Sequence, residues 1–205
     1  LTYAGVGNVQ PGCTKVSDGC KHCYAETLMD KRYGRVEWGP QGTRQRTSES
    51  YWKQPLAWNR KAEAEGKRLK VFCASLADVF EDFGQATTDR GYVNGFENDL
   101  TRWRMKLWYL IDWTPHLDWL LLTKRPENVV GMVPFSWLPD EGGEWPANVW
   151  IGTSVENQEM ADRRIPELLK VPARIRFLSC EPLLGPVDLQ PWLHMTGIPA
   201  TVRVG

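Results

Sequence analysis

The chain has 205 residues, 42% of them hydrophobic. That is enough for one domain with a real core but short of the roughly 250 residues of a full eight-stranded (β/α) barrel. Basic and acidic residues balance at 25 each, which excludes a net field drawing the molecule to nucleic acid or an anionic membrane, though not a local basic patch. No apolar run nears the roughly 20 residues that span a bilayer. Leu1-Thr2-Tyr3-Ala4-Gly5 has no signal-peptide character. Five cysteines, an odd and clustered set, do not suit a secreted disulfide framework, so a cytoplasmic protein is expected.

The first informative segment is Gly12-Cys13-Thr14-Lys15-Val16-Ser17-Asp18-Gly19-Cys20-Lys21-His22-Cys23-Tyr24-Ala25-Glu26. Cys13, Cys20 and Cys23 lie close enough in sequence to converge on one metal centre. Three thiolates are one short of a closed tetrahedral site, and an open position can take a substrate or cofactor. A helix is predicted from about Tyr24 to Tyr33, with Gly34 after its end. Residues 35–60 read as an irregular insertion, with a turn at Gly39-Pro40-Gln41-Gly42. There Arg44, Arg46, Lys53 and Arg60 alternate with Trp52 and Trp58, which suits either a solvated surface or an arm touching an anionic substrate.

Beyond residue 60, short apolar runs each end in a polar cluster. Val71 to Leu76 leads to Asp78, and Trp119 to Leu122 leads to Thr123-Lys124-Arg125-Pro126-Glu127. Val149 to Gly152 leads to Thr153-Ser154-Val155-Glu156-Asn157, and Ile175 to Leu178 leads to Ser179-Cys180-Glu181-Pro182. Such runs suit strands buried on both faces. Helical faces separate them: Leu100, Trp103, Leu107 and Ile111, capped by Asn98 or Asp99, then Ala161, Ile165, Leu168 and Leu169. The alternation predicts an α/β fold with parallel strands, in which sites lie at the carboxyl ends of the strands. Four strands are clear, and residues 198–205 would begin a fifth. A partial barrel, an open sheet or part of a longer protein all fit. The expected organisation is one domain, 1–205, with irregular insertions at 35–60 and 84–97.

The residues alone leave the metal open. Iron–sulfur and zinc both suit the three cysteines, and zinc would need a fourth ligand such as Cys180, Cys73, His116 or His194. Cys73 and Cys180 also read as small core residues. Asp78, Glu181 and Glu156 are candidate acids or bases, and Lys124 and Arg125 candidate anion binders. Ser154 is a candidate helix cap. The eleven tryptophans suit core anchors, or base-stacking platforms.

Five stretches together resemble the phage Gp37/Gp68 (DUF5131) family. They are residues 12–26, Ser75-Leu76-Ala77-Asp78-Val79-Phe80, Leu122-Thr123-Lys124-Arg125-Pro126-Glu127, Ser154-Val155-Glu156-Asn157-Gln158 and Ser179-Cys180-Glu181-Pro182-Leu183-Leu184-Gly185-Pro186. That family is similar in turn to the radical S-adenosylmethionine (SAM) enzymes, so the resemblance implies a partial (β/α) barrel of radical-SAM type. It implies that Cys13, Cys20 and Cys23 hold a [4Fe-4S] cluster whose fourth iron chelates SAM. It also implies an electron donor and a small-molecule or nucleic-acid substrate. Asp78, Lys124, Glu156 and Glu181 become catalytic candidates, and His22, Tyr24, Ser75, Ser154, Asn157 and Arg125 cofactor-binding ones. The alternative is a zinc-stabilised binding module without catalysis, or a degenerate member without activity. The sequence departs from the wider pattern in a six-residue first gap, where three is usual. Asn8-Val9-Gln10-Pro11 replaces the usual Trp-Asn-Pro, and the Gly-Gly-Glu segment and later strands of other members are absent, as in a C-terminally truncated barrel.

Overall fold

The computed structural model describes residues 3–6, 11–82 and 99–193. Five parallel strands form one sheet in sequence order: β1 (Tyr3–Val6), β2 (Leu69–Cys73), β3 (Leu117–Thr123), β4 (Val149–Ser154) and β5 (Ile175–Ser179). The last four are the predicted runs. β1 is added ahead of the cysteine loop, too short and glycine-broken to read from sequence. The predicted start of a strand in residues 198–205, the insertion at 84–97, the Asn98 cap and His194 lie outside the described residues.

The helices are α1 (Tyr24–Glu26), continuing as a π-helix over Thr27–Arg32, then α2 (Glu49–Ala64), α3 (Asp99–Asp112), α4 (Val129–Met132), α5 (Gln158–Lys170) and α6 (Gln190–Leu193). The helix predicted before Gly34 therefore forms, and Gly34 takes the left-handed conformation expected there (φ +57°).

Register explains the two faces of the sheet. Val71 pairs with Trp119, which pairs with Val149; one step on, Cys73 pairs with Leu121, and Leu121 with Ile151. These fully buried side chains share one core with Trp52 and Ala62 of α2, Leu107 and Ile111 of α3, and Leu168 of α5. Helices α2, α3, α4 and α5 thus cover one face, as right-handed crossovers between sequential parallel strands require. The intervening residues, Phe72, Leu122, Trp150 and Phe177, belong to the other face and are only half-buried. Gly152 sits among them because the Phe177 ring occupies the space that a Cβ would need.

Helix α2 corrects the reading of 35–60 as irregular throughout: residues 49–60 are helical. Ser48 caps it, its Oγ accepting the Tyr51 N–H at 3.3 Å. Trp52, Pro55 and Ala62 are buried, and Leu56 packs against the core, which is helical spacing partly hidden by a proline inside the helix. On the same helix, Asn59 Oδ1 accepts the His116 N–H at 2.9 Å, just ahead of β3.

Three of the basic and aromatic residues of that region are occupied within the fold, while Lys53 and Arg60 are exposed. Arg44 is buried against Glu81, and Arg46 lies over the buried Trp52 ring, 4.6 Å from its centroid. Trp108, Trp119, Trp137 and Trp145 are likewise core residues. Trp108 and Trp137 meet edge to face at 5.0 Å, and Trp137 and Trp145 at 5.6 Å. Among the described residues no helix is long and apolar enough to cross a membrane.

Candidate functional site

A cavity of about 620 Å³ lies between the cysteine loop and the carboxyl ends of β2 to β5. Its walls are apolar where Phe72, Ala74 and Leu122 face it. Polar groups arrive from the ends of four strands: Ser75 and Asp78 after β2, Lys124 and Arg125 after β3, Ser154 of β4, and Ser179 and Glu181 from β5 and beyond. Cys13, Cys20 and Cys23 all line it, with His22 and Tyr24 at the mouth. This is where a parallel α/β sheet places its ligands. As they stand, no three His, Cys, Asp or Glu side chains among the described residues are grouped to hold a metal ion. The three thiols share the cavity.

The loop is fastened at its first cysteine. The Gly12 N–H donates to the Leu76 carbonyl at 3.2 Å, and at φ +107° a Cβ there would lie 2.6 Å from the Thr43 carbonyl oxygen. Only glycine fits that approach. Two residues on, the Thr14 N–H donates to Glu81 Oε1 at 2.8 Å. The far end is tied by the Tyr24 hydroxyl, which donates to the Ser75 carbonyl at 2.5 Å.

Behind Cys13 lies a buried charge network. Arg44 makes a forked pair with Glu81, at 2.7 and 2.8 Å. Arg125 donates to Asp78 Oδ2 at 3.0 Å and to the Thr14 carbonyl at 2.8 Å, and it also lies 3.7 Å from Cys13 Sγ and 3.6 Å from Glu81 Oε1. Asp78 also accepts from the Phe80 N–H, the Thr123 hydroxyl and the Lys124 N–H, at 3.0, 2.7 and 3.0 Å. Two carboxylates and two guanidiniums are thus paired out of water, where losing one partner costs about 3–5 kcal/mol. Burial, with the Glu81 and Asp78 charges behind it, pushes the Cys13 thiol up to about 12, against the opposing pull of Arg125. Burial disfavours the Arg125 charge, but Asp78, Cys13 and Glu81 outweigh it and hold the guanidinium above its ordinary range.

Lys124 differs from its neighbour. Its Nζ lies 3.3 Å from Ser154 Oγ, and no carboxylate among the described residues is within ion-pairing distance. Glu181 also lines the cavity and is exposed. The cavity therefore offers one cation and one anion not already matched to each other.

Two sequence candidates fall elsewhere. Glu156 is fully buried and does not line the cavity: Arg164 donates to it at 2.5 Å, and so does the Ser17 hydroxyl. Asn157 caps α5, its Oδ1 accepting the Met160 N–H at 2.9 Å, a role read from sequence as that of Ser154. Asp78 lines the cavity, but its four hydrogen bonds make it a holder of Arg125 rather than a free acid or base. Of the proposed fourth zinc ligands, Cys73 and Cys180 are buried in the core and His116 lies at the amino end of β3; none lines the cavity.

Glu81 and Ser17 were not singled out in the sequence, and Arg44 was read only as part of a basic surface or arm. A signal for Glu81 was available, since an acid three residues beyond Asp78 and directly after Val79-Phe80 is badly placed for solvent. Arg44 and Ser17 gave none, because their partners lie 37 and 139 residues away.

Residues 4–198 match the family described as "Protein of unknown function (DUF5131)". No curated protein and no solved structure matches the chain. With nearly the whole length matched, the chain belongs to the DUF5131 family.

Proposed function

We propose that this chain is an iron–sulfur protein of phage Gp37/Gp68 type, built on a partial (β/α) barrel, that uses S-adenosylmethionine in radical chemistry. The observation that carries the reading is that Cys13, Cys20 and Cys23 line one cavity at the carboxyl ends of the strands, and no fourth cysteine does. Three thiolates without a fourth suit a cluster that keeps one iron for an outside ligand. The barrel reading draws support from the sequential parallel order with the helices gathered on one face. All five cysteines are free, as a reducing cytoplasm would leave them.

On this reading Cys13, Cys20 and Cys23 would hold the cluster, which when bound supplies one-electron reduction of a sulfonium. The chain's own residues prepare the site. Arg125, held by Asp78, donates toward Cys13 Sγ and favours its thiolate once the proton has left. Lys124, steadied by Ser154, would meet the cosubstrate's carboxylate, and Glu181 would accept from its amino or ribose groups. Phe72 and Leu122 exclude water from the wall. The substrate is a small molecule entering past His22 and Tyr24. Within residues 44–60, Arg44, Arg46 and Trp52 are spent inside the fold, which leaves the exposed Lys53 and Arg60 as the basic groups that a nucleic-acid substrate could meet.

Equilibrium dialysis of anaerobically reconstituted protein against labelled S-adenosylmethionine tests the reading. Wild-type protein is expected to bind it, and Cys13→Ser to lose both cluster and binding. Lys124→Ala should weaken binding about 10- to 100-fold, the worth of a charge-assisted hydrogen bond, while the cluster remains. Binding that survives Cys13→Ser unchanged, or no binding to loaded wild-type protein, would overturn it.

A further inference from the structure

Glu156 was a catalytic candidate in the sequence, and the structure gives it other work. It is fully buried and joins three segments that frame the cavity. Its Oε2 accepts from Arg164 of α5 at 2.5 Å, and that guanidinium nitrogen also donates to the Ser154 carbonyl at the end of β4, at 2.9 Å. Its Oε1 accepts the Ser17 hydroxyl, which reaches across 139 residues from the cysteine loop. Its own carbonyl accepts the Leu184 N–H at 2.7 Å, tying down the loop that follows Glu181 and Pro182.

Two features show that the cysteine loop is shaped around this carboxylate. A Cβ on Gly19 would lie 2.5 Å from Glu156 Oε1, so any larger residue there displaces the loop or the carboxylate. Ser17 Oγ also lies 3.8 Å from Cys20 Sγ, so the hydroxyl that meets the carboxylate also contacts the middle cysteine. Cys13 has its own anchors in Glu81 and Arg125. Cys20 is anchored through Ser17.

We infer that Arg164, Glu156 and Ser17 form a latch that positions Cys20 for metal ligation by fixing the 17–20 turn against the β4–α5 junction. Glu156 is thereby a positioning residue rather than an acid or base. The latch is a property of the metal-free chain, and its effect on metal rests on the metal-centre reading above. Outer-shell hydrogen bonds of this kind typically change metal affinity 10- to 100-fold.

The test compares wild type, Ser17→Ala, Ser17→Thr and Gly19→Ala as full chains. Cobalt(II) is titrated in under anaerobic conditions and followed by its thiolate charge-transfer absorption. Hydrogen exchange of residues 13–23 is measured separately on metal-free protein, and thermal unfolding reports the global fold. Ser17→Ala is expected to weaken cobalt binding about 10- to 100-fold and to speed exchange in the loop at least about tenfold, with the unfolding midpoint little changed. Ser17→Thr, which keeps the hydroxyl, should restore both, and Gly19→Ala should behave like Ser17→Ala. Wild-type affinity and wild-type loop exchange in Ser17→Ala would overturn the latch. If wild-type protein takes up no cobalt, the metal-centre reading fails, and loop exchange alone decides the latch: faster in Ser17→Ala sustains it, unchanged refutes it.

Discussion

Cys13 is the residue on which the site's chemistry turns, and its surroundings pull in two directions. Desolvation and the Glu81 and Asp78 carboxylates favour the neutral thiol, while Arg125, donating toward the sulfur, favours the thiolate. Its folded value, about 12, lies above the ordinary 9.0, so the contribution to stability is complete below pH 9 and is lost as pH rises through about 12. At pH 8 the metal-free thiol stays protonated. Iodoacetamide should therefore label Cys13 at least about tenfold more slowly than Cys20 and Cys23, read by peptide mass spectrometry. Equal labelling rates for all three would show that Cys13 is not held this way. At this scale the sequence was legible in which residues meet at the cavity, as with the three cysteines and Lys124. It was misleading where direction decides: nothing in Ser154-Val155-Glu156-Asn157 says that Glu156 points away from the strand-end cavity into a buried pair with Arg164.

Among the elements, the strands were the most legible, because a strand buried against helices must read as an apolar run whatever its neighbours. β3, from Leu117 to Thr123, is the clearest instance. Helix α2 was hidden by Pro55 and by the mixing of basic residues with Trp, which resembles a binding arm until Trp52 and the Arg44 side chain are seen to be buried. β4 carries a testable constraint. Gly152 has no room for a side chain beneath the Phe177 ring of β5, so Gly152→Ala must shift that ring or part the strands. Overpacking of this kind costs about 1–3 kcal/mol, which for a chain of this length lowers the unfolding midpoint by roughly 2–4 °C per kcal/mol. Calorimetry that found an unchanged midpoint would mean that the cavity face of the sheet is loosely packed.

For the whole molecule, the sheet runs in chain order, its helices cover one face, and the other face carries the cavity. The alternation of strands and helices made the parallel sheet readable from sequence. Strand order was not readable, because periodicity reports which face a residue occupies and not which strand lies beside it. The cavity could be inferred only as far as polar clusters share the carboxyl ends of strands; the pairing of Glu81 with Arg44 and Arg125 needed the fold. The central claim is that this arrangement holds an iron–sulfur cluster with one iron left open. Its most direct test is metal and sulfide analysis of anaerobically purified protein, with electron paramagnetic resonance of the reduced form. About four irons and four sulfides per chain, with a signal that changes on adding S-adenosylmethionine, is the predicted result. One tightly held zinc with no sulfide would contradict it and make the three cysteines a structural site.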